Sequence, residues 1–281
     1  MHGSGAHDRN ETIGPNAPLR DLAIGLAARG IASLRYEKRT REWSLRFMAK
    51  LPNWTADDEV IDDAVASIAL LAQRPEISGV FVVGHSLGAM LAPRIARRAA
   101  AQGTPLRGVV LLAGPLTPLH RLVVDQYEFL ATQPGRGVTR EMIADMRVRR
   151  DNVEQLLRSP AHTPAPGPLP LDWPVSAWLD FGNYDPAATL LAQPALPALL
   201  LFGGRDFQVP IREKGLWEAR LGMRPNTTLR EFSSLNHLLI AGEGAPSAEE
   251  YSRPGKVSDP LLDAVADWIR QTSGERSAAS R

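Results

Sequence analysis

Apolar positions recur along this chain in two rhythms. From Pro18 onward, Leu19, Leu22, Ala23 and Leu26 follow the spacing that lines one face of a helix, and Gly30 stands where such a helix stops. Thr55 or Asp57 can cap a second helix, with Asp58 and Glu59 favourable at its positive end. Its stripe is Val60, Ile61, Ala64, Val65, Ile68 and Leu71, and Pro75 lies beyond it. Residues 89–101 are rich in helix formers. Near the end, Ser258 or Asp259 caps a helix with Pro260 in its first turn and Leu261, Leu262, Val265, Trp268 and Ile269 on its core face. The other rhythm is a short run of β-favouring residues: 31–36, 80–83, 109–113, 199–202 and 228–232 read as strands. Helical or long inserted sequence separates these runs, which predicts a mostly parallel sheet flanked by helices. Residues 1–16 and 37–42 read as loops, and 274–281 as a fraying polar end.

Between Gly114 and Pro197 lies more sequence than an ordinary connection needs. Residues 119–130 and 140–157 read as amphipathic helices. Residues 159–174 carry six prolines, which exclude regular helix or central strand. The expected organisation is a core of residues 1–115 and 195–281, with 116–194 inserted as a helical cap over the site. No internal repeat is visible.

Composition narrows the function. The 281 residues are 44% hydrophobic and 22% charged, as in a soluble globular protein able to bury one substantial core. A net charge of +1 with no long basic run gives no reason to expect nucleic acid as a partner. No apolar stretch approaches a membrane span, and no signal peptide is visible, so a cytoplasmic location is expected. With no cysteine, disulfides, thiol catalysis and Cys-ligated zinc are excluded. No His/Asp cluster at ligand spacing suggests a metal, and no cofactor is expected.

The chemistry centres on Gly84-His85-Ser86-Leu87-Gly88, a G-x-S-x-G run between a predicted strand and a predicted helix. At such an elbow the serine backbone is strained, and a β-carbon on either glycine would clash. The hydroxyl of Ser86 is lifted clear of the sheet, at a helix start that favours negative charge. Ser86 is the candidate nucleophile. From His2-Gly3-Ser4-Gly5 through this elbow to Leu235-Asn236-His237, the chain resembles the α/β-hydrolase superfamily, and within it bacterial esterases of the serine-aminopeptidase-like group.

That resemblance implies the α/β-hydrolase fold and a triad in the order Ser, acid, His. Asp206 follows the predicted strand 199–202 and a Gly-Gly turn, at the carboxyl end where open α/β sheets do chemistry; its other reading is a turn aspartate capping 209–221. Of six histidines, His237 alone follows both Asp206 and the last predicted strand. His237 would act as base, oriented by Asp206. The oxyanion donors would be the backbone N–H groups of Leu87 and, by resemblance to the family's His-Gly motif, Ser4. Trp173, Trp178, Phe181 and Tyr184 could line a substrate pocket or simply seal the cap. Asp8, Arg9 and Glu11 read as a solvated loop patch, with a border to the site entrance as the other reading.

The expected activity is hydrolysis of small-molecule carboxylic esters, with short- to medium-chain acyl groups, through an acyl-enzyme. A peptidase or acyl-thioester hydrolase is the alternative, because a triad does not encode the leaving group. An inactive binding scaffold of the same fold is the other. The oligomeric state is left open. In the family the motif at His2 follows three strands, the third lying between those corresponding to 31–36 and 80–83. This chain begins at Met1, so that strand is expected to be missing, with the gap either closed or left open.

Overall fold

Four of the five predicted strands lie side by side. The computed structural model describes residues 1–43, 50–160 and 163–274. It places β1 (Phe81–His85), β2 (Gly108–Leu112), β3 (Ala198–Gly203) and β4 (Thr227–Phe232) in one parallel sheet, in chain order. Parallel neighbours need long crossovers, and helices supply them. The helices are α1 (Pro18–Ala27), α2 (Arg39–Glu42), α3 (Asp62–Ala72), α4 (Leu87–Ala101), α5 (Leu119–Ala131), α6 (Arg140–Arg158), α7 (Val175–Gly182), α8 (Pro186–Leu191), α9 (Arg212–Leu221) and α10 (Asp259–Ser273). A π-helical turn, Asp57–Ile61, leads into α3.

Covering both faces of the sheet explains why its inner strands are uniformly apolar. Val109, Leu111, Ala198, Leu200 and Phe202 point to the side of α3 and α4. Their neighbours Val110, Leu112, Leu199 and Leu201 point to the side of α1 and α10. Small residues of α4 (Gly88, Ala89, Ala92, Ala96 and Ala99) are buried, which lets that helix lie close on the sheet. The two edge strands differ from the inner ones: β1 and β4 both alternate between more and less covered positions.

Residues 31–36 do not form a strand. A strand exists by pairing, and among the described residues no strand lies beside this segment. A cavity of about 360 Å³ separates it from β1, walled by Leu22 and Leu26 on one face and by Ile68 and Leu71 on the other. Among the described residues the gap therefore stays open. Met1 bonds to β1 at its end: its amine donates to Val83 O at 2.6 Å, and its carbonyl accepts from His85 N–H at 2.9 Å. Burial pushes that amine down to about 6. Alternation along β1 leaves the N–H and C=O of Phe81 and the N–H of Val83 facing the cavity with no strand opposite.

Helices α5 to α8 occupy the long insertion. Two of them, α7 and α8, are short and follow the proline-rich segment; α8 starts on an Asp185 cap that accepts from Ala188 N–H at 2.9 Å. Arg94 of α4 binds Asp180 of α7 at 2.7 Å and Asp57 at 2.8 Å, tying insertion to core. At the other end the fully buried Glu213 accepts from the N–H groups of Leu116 and Thr117, both at 2.8 Å. Among the described residues no helix is long and apolar enough to cross a membrane. The expectation for 275–281 lies outside the described residues.

Candidate active site

Ser86 sits between β1 and α4 with φ 52° and ψ −116°, a conformation that non-glycine residues avoid. The flanking glycines have the expected reason. A β-carbon on Gly84 would lie 2.3 Å from Gly88 O, and one on Gly88 would lie 2.7 Å from His2 O. The second contact shows what else the elbow holds: the His2–Gly5 run lies directly against the start of α4. Ser86 Oγ has no hydrogen-bond partner among the described residues, so its bond to a base is left to form with substrate, as often happens in free enzymes.

Asp206 follows β3, at the carboxyl end of the sheet. Its Oδ1 accepts from the N–H groups of Gln208 and Val209, both at 2.8 Å, and its Oδ2 is 2.7 Å from His237 Nδ1. A carboxylate fixed on three N–H groups holds the imidazole in one tautomer, Nδ1–H, and leaves Nε2 free to accept a proton. The two residues are 4% exposed each, so little water competes for that bond. The His237 ring lies 4.6 Å, centroid to centroid, from that of His85, the residue preceding Ser86. The structure thus gathers Ser86, Asp206 and His237 at one place.

Leu87 opens α4, beside Ser86, and Ser4 lies in the loop against the elbow. Ser4 N–H has no partner among the described residues. Its neighbours are held firmly: Gly3 N–H donates to Glu11 Oε1 at 2.5 Å, and Lys38 Nζ donates to Gly3 O and Gly5 O, both at 3.0 Å.

Glu11 corrects the sequence reading. Far from belonging to a solvated patch, it is 1% exposed and has φ 55°. Its Oε2 pairs with His85 Nδ1 at 3.0 Å, and His85 Nε2 donates to His237 O at 2.8 Å. Burial opposes both charges of this pair, yet each partner outweighs it for the other: Glu11 is held down at about 2, and His85 is raised. His2, nearby, is pushed down to about 3 by burial and then by the Met1 amine, and is neutral.

The aromatic set is placed chiefly inside the cap. Trp178 is fully buried and Phe181 nearly so, with Trp173 stacked on Trp178 at 5.2 Å and edge-on to Trp54 at 5.2 Å. Trp173 and Tyr184, only partly buried, are the members with surface left to offer a ligand.

Residues 2–250 match the family described as "Alpha/beta hydrolase family". The chain belongs to that family. The sheet, its flanking helices and the elbow are accordingly an α/β-hydrolase fold. Over 271 residues, 96% of its length, this α/β hydrolase is 37% identical to Esterase EstD of Thermotoga maritima, and it spans 60% of that protein. Among solved structures it is similar to the Pyrococcus furiosus esterase Pf2001 (TM-score 0.55, 16% identity, 98% of this chain and 80% of that one). It is also similar to Est1E of Butyrivibrio proteoclasticus (TM-score 0.54, 13% identity, 98% of this chain and 86% of that one). At such identities the structural matches bear on the fold alone.

Proposed function

We propose that this α/β hydrolase cleaves carboxylic esters of small molecules by nucleophilic catalysis. His237 Nε2 takes the proton of Ser86 as its Oγ attacks the ester carbonyl. The tetrahedral oxyanion is held by Leu87 N–H and Ser4 N–H. Collapse expels the alcohol, which receives the proton from His237, and water then hydrolyses the acyl-enzyme by the same route. Residues 116–194 act as the cap, and the acyl groups accepted are short to medium, since the aromatic rings of the cap fill its interior by stacking on one another.

The observation that carries this reading is a strained serine at a helix start, beside a histidine whose Nδ1 is fixed by a buried aspartate. The name and 37% identity of Esterase EstD support ester over other acyl substrates, although the chain spans only 60% of it. The test is labelling with a fluorophosphonate, followed by turnover of p-nitrophenyl esters, acyl thioesters and aminoacyl amides. Labelling of Ser86 with highest kcat/KM on esters is expected. Preference for thioesters or amides would move the activity to those substrates, and absence of labelling would make the chain a binding scaffold.

A further inference from the structure

Four buried charged side chains near the elbow have no part in the triad. Glu11, His85, Lys38 and Glu59 are all at most 3% exposed. Burying ionic groups is unfavourable unless each is paired and hydrogen-bonded, and removing one partner leaves the other stranded. Here every charge is matched: Glu11 with His85 at 3.0 Å, Lys38 with Glu59 at 2.9 Å. Each pair also reaches backbone. Glu11 takes Gly3 N–H, and Lys38 gives to Gly3 O and Gly5 O. His85 gives to the carbonyl of His237 itself. An imidazole with a carboxylate on one nitrogen and a carbonyl on the other meets acceptors on both sides, and donates to both as an imidazolium.

The connected path therefore runs Gly3 N–H, Glu11, His85, His237 O. It joins the loop bearing the Ser4 donor to the loop bearing the base, and it passes directly beneath Ser86. Glu11 adopts φ 55° to make the connection. A strained backbone under a buried carboxylate persists only where its surroundings over-determine it.

We infer that Glu11 and His85 are positioning residues, a neutral strut that sets the spacing between the oxyanion loop and the His237 loop, while Lys38 and Glu59 brace the oxyanion loop alone. The inference rests on the hydrolase reading for its kinetic consequence, but not for its structural one. Donors serve an oxyanion only within a window ~0.4 Å wide, about 2.7–3.1 Å, so a loosened spacing lowers kcat more than it raises KM.

The test compares wild type, Glu11→Gln and Lys38→Met by two readouts: backbone amide hydrogen exchange, and ester turnover per fluorophosphonate-titrated site. In Glu11→Gln, exchange should quicken at residues 2–5 and also at 236–240, which Glu11 does not touch. Turnover per site should fall roughly 10- to 100-fold with KM changed less than about threefold. In Lys38→Met, exchange should quicken at 2–5 only. Should Glu11→Gln not fold, His85→Gln carries the same comparison from the middle of the strut. Exchange confined to 2–5 in Glu11→Gln or His85→Gln, with turnover per titrated site within twofold of wild type, would overturn the inference. A wild type that takes no fluorophosphonate would overturn the hydrolase reading instead, and the exchange pattern would still decide the strut.

Discussion

Gly88→Ala probes the proposed oxyanion site without touching a residue of the proposed triad. The added β-carbon would lie 2.7 Å from His2 O and 2.8 Å from both Met1 O and Met1 Cβ. Such contacts are not tolerated below about 3.0 Å, so the loop and the start of α4 must part by at least 0.3 Å. The two donors stand on opposite sides of that contact, Leu87 one residue before Gly88 and Ser4 two residues after His2. Any parting widens the distance between them, and 0.3 Å is most of the ~0.4 Å window in which a donor serves an oxyanion. Outright loss of one donor costs ~10²–10³ in kcat; a weakened one should cost roughly 10- to 100-fold. Recoil of the loop is limited, because Glu11 and Lys38 hold Gly3 and β1 holds Met1. The assay is kcat and KM on p-nitrophenyl butyrate, with thermal melting in parallel. Gly215→Ala is the control: its β-carbon meets nothing within 4 Å, so within α9 it should stabilise by roughly 0.5–1 kcal/mol and leave kcat alone. A Gly88→Ala protein that melts like wild type and keeps kcat within twofold would refute the geometry.

Ser86→Ala and His237→Ala should each abolish ester turnover with little change in melting; more than a few per cent residual rate in either would remove that residue from the triad. The Glu11 carboxyl, at about 2 when folded against an ordinary 4.5, contributes stability that is complete above pH 4.5 and lost as pH falls through 2, on the order of 3 kcal/mol. The melting difference between wild type and Glu11→Gln should therefore shrink as pH falls below 4.5, and a constant difference would contradict the ionised pair. Trp178→Ala should cost roughly 3–5 kcal/mol, because its ring is fully buried, and should also shift the preference between short and long acyl chains; unchanged preference would confine Trp178 to bracing the cap. Joining an apolar β-strand ahead of Met1 should raise the melting temperature and ester turnover by pairing Phe81 and Val83, and equal stability and rate would show that the cavity beside β1 costs nothing.

How legible these features were depends on what makes each of them. The inner strands and α1, α3, α4, α5, α6 and α10 announce themselves, since their apolar spacing is the same thing as their burial. Residues 31–36 have strand-like composition, but a strand is completed by its neighbour, and the neighbour here is a cavity. Helices α7 and α8 are short and follow proline-rich sequence; Phe181 of α7 packs edge-on against distant Trp54, and Ala187 and Leu190 of α8 join the cluster that holds α4. At the site, chain order nominates Ser86, Asp206 and His237, because the proposed chemistry requires those residue types. It does not nominate Glu11 or Lys38, because a charge in a loop reads as solvated until its partner is seen. The one available signal was His85, an ionisable residue inside the elbow, and its partner stands 74 residues away.

The cavity beside β1 gives the strand that carries the nucleophile two unlike edges. Val82 and Gly84 turn their amides into the ladder with β2, whereas Phe81 and Val83 turn theirs toward the void. Displacing β1 from β2 would strain a whole ladder, whereas on the void side Met1 is the one described residue whose backbone hydrogen-bonds the strand. The support beneath Ser86 is therefore uneven, continuous on the side of β2 and resting on Met1 on the side of the loop that carries Ser4.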